Sequence, residues 1–187
     1  MRNTLIALAS ALLVVLFVGC ADDTTNNGAN NGTNNGAADT GCLPSGEGQF
    51  VATLTGELEA SLDVDNDALV CSGSATATTV INLAFSTKVP GTEDDLSFIF
   101  GLDGLTEGQT GTFAASATVV RSGSAFSQWN GPAGACSFMV TAQDTYSTTA
   151  VGNVAQVEGT GDCATALEDG ALEVHGITFA TKVVFAP

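Results

Sequence analysis

The chain has 187 residues, with 4 Lys or Arg against 20 Asp or Glu, a formal net charge of −16. That balance excludes nucleic acid as a partner, because replacing the counterions of a phosphate backbone needs Lys and Arg. The length suits one ordinary domain, and a 44% hydrophobic content can supply its core.

Arg2 is the only charge before Asp22, and Leu5 to Val18 is an apolar run broken only by Ser10. Such a run is shorter than the roughly 20 apolar residues of a membrane-spanning helix and suits the core of a secretory signal. It ends at Gly19-Cys20, with Phe17 three places before the cysteine and Leu16 one step earlier. This ending resembles the lipobox of bacterial lipoproteins, and the resemblance covers residues 1–20. It implies that residues 1–19 are removed and that Cys20 carries a diacylglycerol on its sulfur. The membrane partner would then be reached through lipid on Cys20, since two or more acyl chains hold a protein stably. Ala21 follows Cys20, and Asp22 and Asp23 come later. Within the resemblance this favours the outer membrane or the cell surface.

Residues 20–41 form the next segment. They contain three tandem Asn-Asn-Gly-x units from Asn26 to Ala37, and residues 21–41 have no Val, Leu, Ile, Met or aromatic residue. Nothing there can offset the entropy of ordering, so the segment reads as a flexible tether with a root-mean-square reach of about 25 Å.

From Cys42 to Pro187 the pattern has period two, which predicts a single all-β domain. Glu57 to Asp65 alternates without error and places Leu58, Ala60, Leu62 and Val64 on one strand face, before a turn at Asn66-Asp67. Ala75, Ala77, Thr79, Ile81, Leu83 and Phe85 predict one strand from Ser74 onward, broken by Pro90-Gly91. Leu96, Phe98, Phe100 and Leu102 follow, then Phe113, Ala115, Ala117 and Val119, then Cys136, Phe138, Val140 and Ala142. The closing strand changes phase between Leu172, Val174 and Ile177, Phe179, which predicts a bulge near His175-Gly176. The expected architecture is seven to nine antiparallel strands in a β-sandwich or flattened barrel.

Cys42, Cys71, Cys136 and Cys163 allow three disulfide connectivities. A hairpin centred near Thr149-Ala150 brings Cys136 opposite Cys163. That leaves Cys42 for Cys71, pinning the start of the domain to its second strand. Zinc is disfavoured because no close Cys-x₂₋₄-Cys pair exists, and no cofactor or metal is expected.

Three places invite chemistry. Asp63, Asp65 and Asp67 have the opening spacing of a calcium loop, but Ala68 and Ser74 stand where Gly and Glu are required. His175, the single histidine, has no Gly-x-Ser-x-Gly elbow to serve, so the chain is not expected to be an enzyme. Arg121 to Ala135 is the longest unpatterned stretch and reads as a loop carrying Phe126, Gln128, Trp129 and Asn130. An exposed Trp129 flanked by amides is one way to hold a sugar ring, although such a Trp more often folds back over the open end of a sandwich.

The leading expectation is therefore a membrane-anchored lipoprotein of the cell envelope with a non-catalytic structural or interaction domain, its protein or glycan partner unknown. A carbohydrate-binding Trp129 loop is the alternative, and a carboxylate-based hydrolase comes third.

Overall fold

The structure, a computed structural model, describes residues 41–75, 80–164, 166–168 and 171–186. The expected leader at 1–19, Cys20 and residues 21–40 of the expected tether lie outside the described residues, as do Ala77 and Thr79 of the expected second strand.

Among the described residues nine strands occur in chain order: β1 (Gln49–Gly56), β2 (Ala60–Asp65), β3 (Val70–Ala75), β4 (Val80–Lys88), β5 (Asp95–Asp103), β6 (Gly111–Ser122), β7 (Ser127–Thr149), β8 (Gly152–Asp162) and β9 (Leu172–Phe185). A 3-10 turn at Asn66–Ala68 joins β2 to β3. Strands β3 to β9 pair in sequence order as antiparallel neighbours, and β3 then pairs in parallel with β9. The result is a closed seven-stranded barrel, with the β1–β2 hairpin added beside it. The parallel seam is short, Ser74 with Val184 and Ala75 with Phe185, and it departs from the all-antiparallel expectation.

Strand β9 serves three partners. One edge takes β8 along Ile177–Phe185. The other takes β1 along Leu172–Ala180 and then β3 at Val184 and Phe185. The hand-over from β1 to β3 leaves a junction that Asn66, 6% exposed, fills. Its Oδ1 accepts hydrogen bonds from the backbone N–H groups of Leu43 (2.7 Å) and Gly48 (3.2 Å). Buried backbone donors need such partners, and a side-chain amide is rigid and polar enough to supply one. The Cys42–Cys71 disulfide closes the same junction, with Cα atoms 5.0 Å apart. Cys71 belongs to β3, the third strand rather than the second, because β1 precedes the first strand singled out in the sequence.

Phenylalanines fill the lumen. Phe50 of β1 stacks on Phe85 at 4.5 Å and lies 4.8 Å from Phe98, so the added hairpin is sealed to the barrel. Phe100 lies 4.8 Å from Phe138, which meets Phe179 edge-on at 5.8 Å. All six rings are at most 2% exposed. Each is an inward residue of a period-two strand, and fully burying one contributes about 1.5–3 kcal/mol.

Two sequence expectations change. The alternation from Ser74 to Phe85 is a hairpin, not one strand: β3 ends at Ala75, β4 starts at Val80, and Ala75 pairs with Ile81. Cross-strand partners share a face, and 75 and 81 have the same parity, so the alternation runs through the reversal unbroken. The stretch Arg121 to Ala135 is mostly strand, with β6 ending at Ser122 and β7 beginning at Ser127. Its disguise is a bulge: Gly131 pairs with Ala117 and Cys136 with Ala115, so Pro132 to Ala135 stand opposite Ser116 alone. Proline has no N–H for a ladder and fits such an excursion.

The strand expected from Glu57 begins at Ala60, with Leu58 buried in the turn before it, while the bulge near His175-Gly176 and the Cys136–Cys163 pairing agree with the structure. β9 shifts register against β1 between Val51 and Thr53, opposite His175 and Thr178, with Gly176 at φ +60°. β7 and β8 form a hairpin closing at Thr149 and Gly152, and Cys136 is bonded to Cys163 with Cα atoms 3.9 Å apart.

Candidate functional site

The four residues of the expected Trp129 loop separate by parity. Trp129 points inward and is 4% exposed, and its Nε1–H donates to Glu57 Oε2 at 3.1 Å. A ring so placed has no face for a sugar. Gln128 and Asn130 point outward on β7, and Phe126, in the turn before it, is 72% exposed. Asn130 is held on three sides. Its Oδ1 accepts from Thr118 Oγ1 and Gln128 Nε2, both at 3.0 Å, and its Nδ2 donates to Glu168 Oε1 at 2.8 Å.

These residues belong to a wider surface. Following the pairing register outward from β3 to β7 gives one row of Val70, Ser86, Ser97, Val120 and Gln128. The next row is Ser72, Ala84, Ile99, Thr118 and Asn130. A third is Ser74, Asn82, Gly101 and Ser116. None of these residues is charged. Five strands at the usual spacing make this wall about 19 Å wide.

At one end of the wall lies a shallow, open depression of about 530 Å³, lined by Val70, Ser86, Lys88, Asp95, Ser97 and Ser122 among others. Ser86 and Ser97 share a hydrogen bond of 2.9 Å at its floor. Lys88 and Asp95 form an ion pair of 2.7 Å on its rim. That bond raises the Lys88 pKa, Asp95 being the main cause.

Behind this rim Asp94, its side chain 4% exposed, organises the turn into β7. Its carboxylate accepts from the Ser124 backbone N–H (2.7 Å), the Ser124 hydroxyl (3.0 Å) and Arg121 Nε (2.8 Å). The Ser124 bonds first, then Arg121, hold its pKa down at about 2. Gly123, at φ +138°, lets the turn pass so close, since a Cβ there would run into Asp94 Oδ1. Arg121 and Asp94 are thus spent on structure.

The remaining sequence candidates do not join the wall. Asp63 and Asp65 are outward residues of β2, and Asp67 lies in the 3-10 turn beyond it. Asp67 Oδ1 accepts from Asn66 Nδ2 at 3.3 Å. Among the described residues no group of three His, Cys, Asp or Glu side chains is gathered for a metal ion. His175 is half exposed on β9, with Nε2 3.2 Å from Glu173 Oε2. That contact and one from Thr55 lower the Glu173 pKa.

Sequence reasoning took Phe126, Gln128 and Asn130 as one loop and missed the wall they border. A signal was present: residues 68–87, 96–102 and 108–120 contain no charged residue in a chain with 20 acids. Neither a protein family, nor a curated protein, nor a solved structure matches the chain.

Proposed function

We propose that this chain is an exported lipoprotein, anchored through lipid on Cys20 at the cell envelope, whose barrel is a non-catalytic interaction module. The observation that carries the reading is a solid barrel under an uncharged outer wall. Six phenylalanines occupy the space where a ligand-carrying barrel would hold its cargo, so recognition falls to the outside. The acid with the strongly lowered pKa, Asp94, is committed to a turn and has no free oxygen to offer a substrate. The lipobox-like leader and the Asn/Gly tether supply the anchor and the reach, and the acidic body gives no footing to nucleic acid.

The alternative, sugar binding by Trp129, loses its aromatic platform because that ring faces the core. Intact-mass measurement of the membrane fraction tests the anchor. The expected mature chain begins at Cys20 and carries the diacylglyceryl mass, and Cys20→Ser abolishes both. A full chain recovered unlipidated from the membrane would overturn the anchor.

A further inference from the structure

The outer wall has properties that a ligand must match, and they narrow its chemistry. The described part of the domain has many acids on β2, β8 and β9 and in the loops, yet two successive rows across β3–β7 and a third across β3–β6 have none. Burying these rows desolvates no charge of their own, and the charges at their borders are already engaged, Lys88 with Asp95 and Glu168 with Asn130. What it offers is hydroxyl and amide groups on Ser72, Ser86, Ser97, Thr118, Gln128 and Asn130, with the aliphatic Ile99 (42% exposed) between them. Several are fixed in advance, by the Ser86–Ser97 bond and by the Thr118–Asn130–Gln128 set. Pre-organised polar groups lose little entropy on binding. Phe126, 72% exposed, lies in the turn between β6, whose last residue Ser122 lines the depression, and β7, and an exposed ring there can pack on an apolar sugar face. The depression is of the size that small ligands occupy, roughly 300–1,000 Å³.

A protein partner fits less well. Protein interfaces concentrate Tyr, Trp, Met and Arg, none of which stands in these rows, and are depleted in Ser, the commonest residue type in them.

We infer that the β3–β7 wall binds an uncharged polysaccharide, lying over the Ser86–Ser97 depression with Phe126 stacked at its edge. This rests on the interaction-module reading and names its ligand class. The test uses the full chain in detergent against an array of neutral oligosaccharides (glucans, mannans, galactans), with charged glycans alongside. A neutral glycan is bound, with an affinity that stays level from about 0.05 to 0.5 M salt. Ser97→Glu and, separately, Phe126→Ala each weaken it about tenfold or more while the melting temperature holds. Both side chains lie outside the core, so loss of binding without loss of fold is readable. No binding to any neutral glycan, or binding untouched by both substitutions, overturns the inference. A photo-cross-linker at position 99 that captures a second copy or another protein instead overturns the glycan and leaves the interaction module standing. Release of new reducing ends from the bound glycan has the opposite effect: the ligand class stands and the non-catalytic reading falls.

Discussion

The two flanks of the domain face the same solvent with opposite electrostatic policies. On the β1–β2 and β8–β9 side, outward positions hold Asp63, Asp65, Glu158, Asp162 and Glu173. On the β3–β7 side, the rows through Ser86, Ile99 and Gly101 hold none, and the charges of these strands stand outside the rows, in Lys88, Asp95, Asp103, Arg121 and Asp144. Acids on an outward strand position are cheap and keep a protein soluble, so a flank without them is the one that needs explaining. The comparison teaches that net charge describes this molecule poorly, because the charge is placed rather than spread.

Both flanks rest on one lumen, so the largest effect should strike them together. Phe100 touches Phe50, Phe85, Phe98 and Phe138. Phe100→Ala should cost about 3–5 kcal/mol in urea unfolding. Two separate transitions would show that the flanks are independent units. Next comes the bridge from β7 to the end of β8. Replacing Cys136 and Cys163 with Ser opens a loop of sequence separation 27 and should remove about 3–4 kcal/mol. An unchanged denaturation midpoint would refute that.

A smaller effect belongs to the rim between the flanks. Asp94 titrates at about 2, below its usual 3.8, so the folded state binds its proton less readily than the unfolded chain does. Its contribution is present above about pH 4 and drains as the pH falls toward 2. The urea midpoint of the wild type should therefore drop more steeply than that of Asp94→Asn across that window, and parallel curves would remove Asp94 from the account. The smallest effect is expected on the neutral wall itself. Ile99→Glu should shift stability by no more than about 0.5 kcal/mol, as exposed positions do. Val119→Glu, at a position that is 0% exposed on neighbouring β6, should prevent folding. Equal damage from both would mean that the wall is not an outer face.

Much of this fold is legible in the residues. The rows Leu96, Phe98, Phe100, Leu102 and Phe113, Ala115, Ala117, Val119 are buried as their alternation demands, and the phase change at Gly176 is a bulge. Legibility fails where period two carries no information. A reversal between same-parity residues, Ala75 and Ile81, cannot be told from a straight strand when the sequence between them contains no Gly, Pro, Asn or Asp. β1 escaped notice although Phe50, Ala52 and Leu54 are buried, because the flawless alternation after it was the stronger signal. The closing seam joins Ala75 to Phe185 across most of the domain, and no local pattern encodes so distant a pairing. For the site, Phe126, Gln128 and Asn130 were legible as residues. The burial of Trp129 agrees with the commoner expectation for such a ring, but the bulge after Gly131 hid that it sits on a strand rather than a loop.

The position of β9 in the chain order sets a timetable. It is the ninth strand, yet β1, β3 and β8 all depend on it for an edge. While the chain is being made or threaded through a narrow passage, β1 and β3 have no β9 to zip onto and the barrel is an open ribbon. A chain stalled before Leu172 should stay soft to proteases, and it should harden in one step once Phe185 is free.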